Sequence, residues 1–309
     1  MSPAQRRNRL NRFKTKKTGF RSIKYLFLVA LIGVLALVVA VQTKYWDARN
    51  KLSTVISVAN GELVISTFDP EGESITNVLI PANTQLDVAR GLGSFRAKSI
   101  WQLGINEKLG GKLLAETIVK NFHFPVYTWG DNNMKGLAEA ESLSIFRAVF
   151  FPARTNLKIG DRIKMAFFSL GVKAAKRVNI DLREGQYLKK TRLVDGEEGY
   201  LVSGVGLSKL FPTFSENGIS QQNLRVNIKD ATGQRGIAEQ IGATLEVLGI
   251  KVAFLERRGV EDLDCSFRTK NEDLAKKVSF IFSCKREKIA PEGNFDLELN
   301  LGSQFAKRY

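Results

Sequence analysis

The chain has 309 residues, 47 Lys or Arg against 31 Asp or Glu, a formal charge of +16, one His and two Cys. A lone histidine argues against a His-based metal site or a Ser-His-Asp triad, and His123 reads as part of a loop leading to a strand. Cys265 and Cys284 belong to no CxxC or Cys/His cluster, so no metal site is expected.

Residues 1–24 form a basic tail with nine Lys or Arg and no acid, and no charge occurs between Lys24 and Lys44. Tyr25–Val41 is unbroken apolar sequence, so residues 25–43 are expected to be a transmembrane helix. Tyr25 and the Tyr45–Trp46 pair flank it, as amphipathic rings do at the headgroups. A cleaved signal peptide would have a shorter apolar core and an A-x-A-like site. A buried soluble helix would not be apolar on every face. The positive flank puts the tail in the cytosol and the rest outside a plasma membrane crossed once. The outer part keeps 38 basic and 31 acidic residues, a surplus too small to indicate nucleic acid. The tail is expected to touch anionic lipid.

Residues 44–212 read as the first outer domain. Strands are expected at Glu62–Thr67, Ser74–Ile80 and Val126–Trp129, and helices at Gly111–Asn121 and Met134–Phe150. A further helix at Gly160–Leu170 would place Ile163, Phe167 and Leu170 on one face. Strands alternating with helices predict an α/β sandwich with a mixed sheet. Residues 213–222, rich in turn formers, are expected to be a linker.

Residues 223–309 predict a small α/β C-terminal domain. Its strands are expected at Leu224–Ile228, Lys251–Leu255, Asp264–Arg268 and Phe295–Leu301. One helix runs from Gln234 to Leu248 and stops at Gly249, and another is capped by Asn271. A strand and the helix returning beside it bring Cys265 and Cys284 within disulfide reach in an oxidising exterior. The alternative is two independent buried thiols.

The sharpest local pattern runs from Val226 to Ala238, with Asp230, Thr232, Gly233 and Gly236 in the turn. Gly233 permits positive φ, and Gly236 permits close helix–sheet packing. The turn reads either as purely structural or as an anion site built on exposed N–H groups. It is not GxGxxG and lacks the Lys of a phosphate loop.

This turn, and the ending Phe295–Phe305 with its Leu-Gly-x-x-Phe, resemble the C-terminal domain of LytR-type proteins. Residues 62–70, the strand ending Val78-Leu-Ile-Pro81, and Leu109–Ile118 are then similar to the LytR-CpsA-Psr catalytic domain. The resemblance implies enzymes that move a glycopolymer from a polyprenyl pyrophosphate onto peptidoglycan. Arginines would clamp the pyrophosphate, and carboxylates would hold Mg²⁺. This chain departs from that set. Ala82 stands where the family has a phosphate-binding arginine, and Asn83 where it has an aspartate. An acidic residue expected near Asn60–Gly61 is missing. Of the later arginine helix only Arg162 remains, a catalytic candidate, while Arg90, Arg96 and Lys98 are candidates for ligand binding.

The resulting expectation is a membrane protein that binds or organises cell-wall glycopolymer or polyprenyl-linked lipid without catalysis. No cofactor is expected, and Mg²⁺ only if the chain is catalytically active. The alternatives are an active phosphotransferase and a partner-binding scaffold.

Overall fold

The computed structural model describes the backbone of residues 16–41, 43–139 and 141–309, and the side chains of 24–38, 43–139 and 141–309. Most of the expected basic tail, and part of the expected span, therefore lie outside the described residues. Residues 25–41 of the expected span belong to helix α1, Lys16–Val41. Among the described residues no helix is long and apolar enough to cross a membrane. The part of α1 with described side chains, 24–38, would be only about 22 Å long.

The chain leaves α1 and enters the protein at once. The Asp161 carboxylate accepts the backbone N–H groups of Lys44 (3.0 Å), Tyr45 (3.1 Å) and Trp46 (3.2 Å). Trp46 is 3% exposed, lies against Phe68 and Phe168, and donates its indole N–H to the Asn50 carbonyl. It is thus a core residue, which corrects its expected place among headgroups. Its hydrogen bond and ring partners are all within the fold.

The first outer region carries two sheets. The larger has the order β6-β1-β2-β3-β7, with β1 Leu52–Ser57, β2 Leu63–Asp69, β3 Ser74–Ile80, β6 Thr128–Gly130 and β7 Arg177–Asp181. It is mixed: β1/β2 and β2/β3 are antiparallel, while β1/β6 and β3/β7 are parallel. One face buries Leu52, Phe68 and Ile75 with Met134, Ile145, Ala148 and Met165. The opposite face buries Val55, Ile65, Val78 and Ile80 with Leu113, Leu114 and Ile118. Helices thus cover both faces, α2 (Ala97–Asn106) and α3 (Gly111–Phe122) on one side, α4 (Ser142–Phe150) and α5 (Ile159–Gly171) on the other. A second sheet, β5-β4-β9-β8, joins β4 Thr84–Val88 to β5 Gly93–Arg96, β8 Leu188–Arg192 and β9 Glu198–Val202.

Two expected helices differ. The stretch Met134–Phe150 is broken into a 3-10 turn at Asn132–Lys135, a single turn at Gly136–Glu139, and α4. A Cβ on Gly136 would sit 2.2 Å from the Ser144 carbonyl oxygen, so the segment doubles back tightly on itself where glycine allows it. In α5 the expected face is only partly buried: Ile163 packs against the core, but Phe167 is 73% exposed and Leu170 is exposed, whereas Met165, Ala166 and Ser169 are buried. The small side chains at 166 and 169 let α5 approach its neighbours closely, so the bulky face is left outward.

The C-terminal region forms a five-stranded sheet in the order β11-β10-β14-β12-β13. Its strands are β10 Arg225–Ala231, β11 Lys251–Arg257, β12 Cys265–Thr269, β13 Lys285–Arg286 and β14 Leu297–Gly302. Helices α6 (Ile237–Leu248) and α7 (Glu272–Phe282) share its apolar core. Asn271 caps α7, accepting from the N–H groups of Asp273 and Leu274. A disulfide joins Cys265 to Cys284 with Cα atoms 4.9 Å apart. A short helix, α8 (Ser303–Arg308), ends the chain.

Residues 213–222 are packed between the two regions. Glu216 is buried and receives the Lys277 ammonium at 2.8 Å and the Lys51 N–H at 3.0 Å. Ile219 is 2% exposed.

Candidate functional site

The strand β3 ends at Ile80, and the chain turns through Pro81, Ala82 and Asn83 into β4. The Ala82 carbonyl accepts the Lys98 N–H at 3.1 Å, which fixes the start of α2 beside the turn. A Cβ added to Gly61 would touch the Lys98 Cβ, so Asn60–Gly61, Ala82 and Lys98 converge. They border an open cleft of about 590 Å³ lined by Asn60, Gly61, Phe95, Lys98, Ser99 and Gln102, among others. Lys98 is the cation of this cleft. Alanine and asparagine side chains bring no positive charge to a phosphate and no carboxylate to a metal ion.

The other candidate cations are engaged elsewhere. Arg90 holds Glu116 in a two-pronged contact, Nε to Oε2 at 2.8 Å and Nη2 to Oε1 at 2.9 Å. That hydrogen bonding raises its pKa, against the opposing effect of burial. Arg96 reaches from β5 to Asp195 and Glu197, the latter at 2.7 Å. Arg162 donates from Nη1 to the carbonyls of Ala148 (3.1 Å) and Phe151 (3.4 Å), closing the C-terminal end of α4. Burial lowers its pKa. None of these three arginines lines the cleft beside Ala82.

Among the described residues no group of three or more His, Cys, Asp or Glu is placed to hold a metal ion. With Asn83 in the turn, the donors around Ala82 do not fit the Mg²⁺ that the family resemblance implies.

A second and larger cleft, about 720 Å³, was not anticipated. It opens between β2, β3 and β7 and the turns at 132–139. Apolar walls from Val64, Leu79 and Ala138 meet Asn77, Asn179 and Asp181. The Asn77 amide donates to Asn179 Oδ1 at 2.9 Å, while Asn77 Oδ1 is buried without a hydrogen-bond partner. Arg177 lines the same cleft, but its guanidinium donates to the carbonyls of Ala138 (2.9 Å), Ser169 and Val172. The cleft therefore offers amides and carboxylates rather than free guanidinium, with Asp181 held by Arg183 and Glu139 by Lys135. Its polar residues alternate with apolar ones on paired strands, a pattern that marks no ligand until the strands are aligned.

In the C-terminal turn the Asp230 carboxylate accepts the Thr232 N–H at 3.0 Å and the Thr232 hydroxyl at 2.6 Å. An Asx-type turn thus consumes the N–H that an anion would need and places a carboxylate there instead. Gly233 and Gly236 have φ of +73° and +89°. Nothing lies within 4 Å of a Cβ on Gly236, so its requirement is left-handed backbone, correcting the expected close helix–sheet contact. On the sheet face behind this turn, Lys229 (3.0 Å) and Arg268 (3.2 Å) share the fully buried Glu298.

No family model matches the chain, and no curated protein matches it. Among solved structures, the chain is similar to B. subtilis TagT at 12% identity, covering 55% of this chain and 93% of that one, with a TM-score of 0.40. It is similar to B. subtilis TagV at 10% identity, covering 54% and 96%, with a TM-score of 0.42. The Lin1025 protein of Listeria innocua matches at 12% identity, covering 54% and 97%, with a TM-score of 0.40. These structural neighbours are LytR-CpsA-Psr family proteins, and the likeness is one of structure alone.

Proposed function

We propose that this chain is a membrane-anchored, envelope-facing protein that binds or organises cell-wall glycopolymer and does not transfer it. One observation carries the reading. The three candidate arginines, Arg90, Arg96 and Arg162, lie outside the cleft beside Ala82 and are held by carboxylates or backbone carbonyls. Developing charge on a pyrophosphate needs cations aimed at it before reaction. Freeing Arg90 from Glu116 or Arg162 from its carbonyls would leave a half-buried partner unsatisfied. The cleft of amides and carboxylates beside Asn77 and Asn179 is the seat for a polyhydroxylated chain. Its supports at the sequence level are the uncharged run after the basic tail and the motifs similar to LytR-CpsA-Psr proteins.

The test uses the full chain in detergent micelles. With a polyprenyl-pyrophosphate-linked glycan and Mg²⁺, no pyrophosphate cleavage is expected. Glycopolymer should be retained in a pull-down and released by Asn77→Ala with Asn179→Ala. Mg²⁺-dependent turnover that disappears on Arg162→Ala would establish the enzyme reading instead.

A further inference from the structure

The exposed aromatic face of α4 and α5 points to a second contact with lipid. Leu143, Phe146, Phe150, Phe151, Phe167 and Leu170 are all more than half exposed. Phe146 touches Phe150 and Phe151, with ring centroids 5.0 and 6.3 Å apart. Helices α4 and α5 pack on each other, and each leaves large apolar side chains exposed. An exposed apolar patch of this kind marks a docking surface.

Three observations identify what covers it. First, α1 packs against α5, so the patch lies beside the apolar helix whose exposed side chains run from Tyr25 to Val38. Second, only two residues lie between Val41 and Lys44, where Asp161 of α5 seizes the backbone. The three Cα–Cα steps from Val41 to Lys44 reach about 11 Å at most, so α5 is held close to the end of α1. Third, residues 142–173 contain six Lys or Arg and one acid. That acid is Asp161, which is buried and occupied. Basic residues around exposed aromatics match an anionic headgroup layer.

We propose that this face lies in the bilayer interface, with Phe146, Phe150 and Phe167 inserted among the lipids, so that the outer region is oriented rather than swinging on a tether. The inference rests on the anchored reading above. Insertion to roughly 5–10 Å is the depth typical of such faces.

The test places an environment-sensitive fluorophore on Phe167→Cys in the full chain, without reductant so that the Cys265–Cys284 disulfide persists. The chain is reconstituted in phosphatidylcholine–phosphatidylglycerol vesicles carrying a nitroxide on the acyl chain. The expected result is a blue shift and loss of fluorescence at 167, while the same probe on Val194→Cys, 97% exposed, keeps its emission. Probes at 167 and 194 that respond alike would overturn the proposal. So would an unquenched probe at 167 together with a disulfide-linked dimer of the unlabelled Phe167→Cys chain, which assigns the face to a second copy. A probe on Ile32→Cys separates the two readings. Quenching at 32 without quenching at 167 overturns the docked face and leaves the anchor standing. No quenching at either position overturns both.

Discussion

At the scale of single residues, the candidate cations were identified by type, and their roles follow from what stands opposite each. Arg90 has a left-handed backbone (φ +66°) that points its side chain at Glu116, and no neighbour in sequence announces that pairing. His123 is a further case. It ends α3 with φ +58°, and its Nδ1 is buried without a partner. Burial lowers its pKa below the ordinary 6.5. The folded state therefore holds fewer protons than the unfolded chain just below that value. Stability contributed by the neutral ring is present above pH 6.5 and is lost as pH falls towards the folded pKa. His123→Asn, which keeps a residue tolerant of left-handed backbone, should flatten the dependence of melting temperature on pH between about 7 and 5. An unchanged slope in thermal unfolding would show that the ring does not titrate with folding.

At the scale of elements, Asp161 joins two parts of the chain. Besides the three N–H groups after α1, it accepts the Lys158 N–H at 3.1 Å, capping α5. Asp161→Ala should lose roughly 2–3 kcal/mol, since hydrogen bonds to a charged group are the stronger kind. It should also expose Trp46, read as a red shift in tryptophan emission. Asp161→Asn should retain part of the stability. In the C-terminal sheet, the disulfide closes a loop with a sequence separation of 19. Cys265→Ser with Cys284→Ser should lower stability by about 3 kcal/mol in denaturant unfolding, and a loss near zero would mean that core packing alone holds β12 to α7.

Much of this organisation was legible beforehand. Ser74–Ile80, α3 and α7 with its Asn271 cap follow from period and capping. The strand Leu52–Ser57 carries no such signal, because it is buried on both faces and so has no alternation. The strands Leu188–Arg192 and Arg177–Asp181 were hidden by charge, which suits sheet edges. The Asn77–Asn179 cleft was invisible for a different reason. Its two amides are 102 residues apart and meet only through the β3/β7 register.

At the scale of the whole molecule, the two outer regions are joined by a buried charge. Lys277 of α7 is 8% exposed and reaches Glu216 Oε2 at 2.8 Å, the Lys51 carbonyl at 2.8 Å and the Tyr127 hydroxyl at 3.3 Å. Burial opposes its charge, but Tyr127 and Glu216 outweigh it and raise the pKa. Tyr45 and Tyr127 lie against Phe280 with ring centroids 4.9 and 5.4 Å away, so apolar rings pack beside the buried pair. Each partner alone is therefore costly to strand. Lys277→Met leaves the Glu216 carboxylate without its countercharge and should cost roughly 3–5 kcal/mol. Glu216→Leu strands the ammonium and should cost a similar amount. The double variant replaces both charges with apolar side chains, and apolar replacement of a buried pair is often neutral. It should thus be more stable than the sum of the single effects predicts. Denaturant unfolding of the full chain in micelles gives the three values, and their cycle gives the coupling. Strict additivity would mean that the two groups do not sense each other, and that the regions are held together by apolar packing alone.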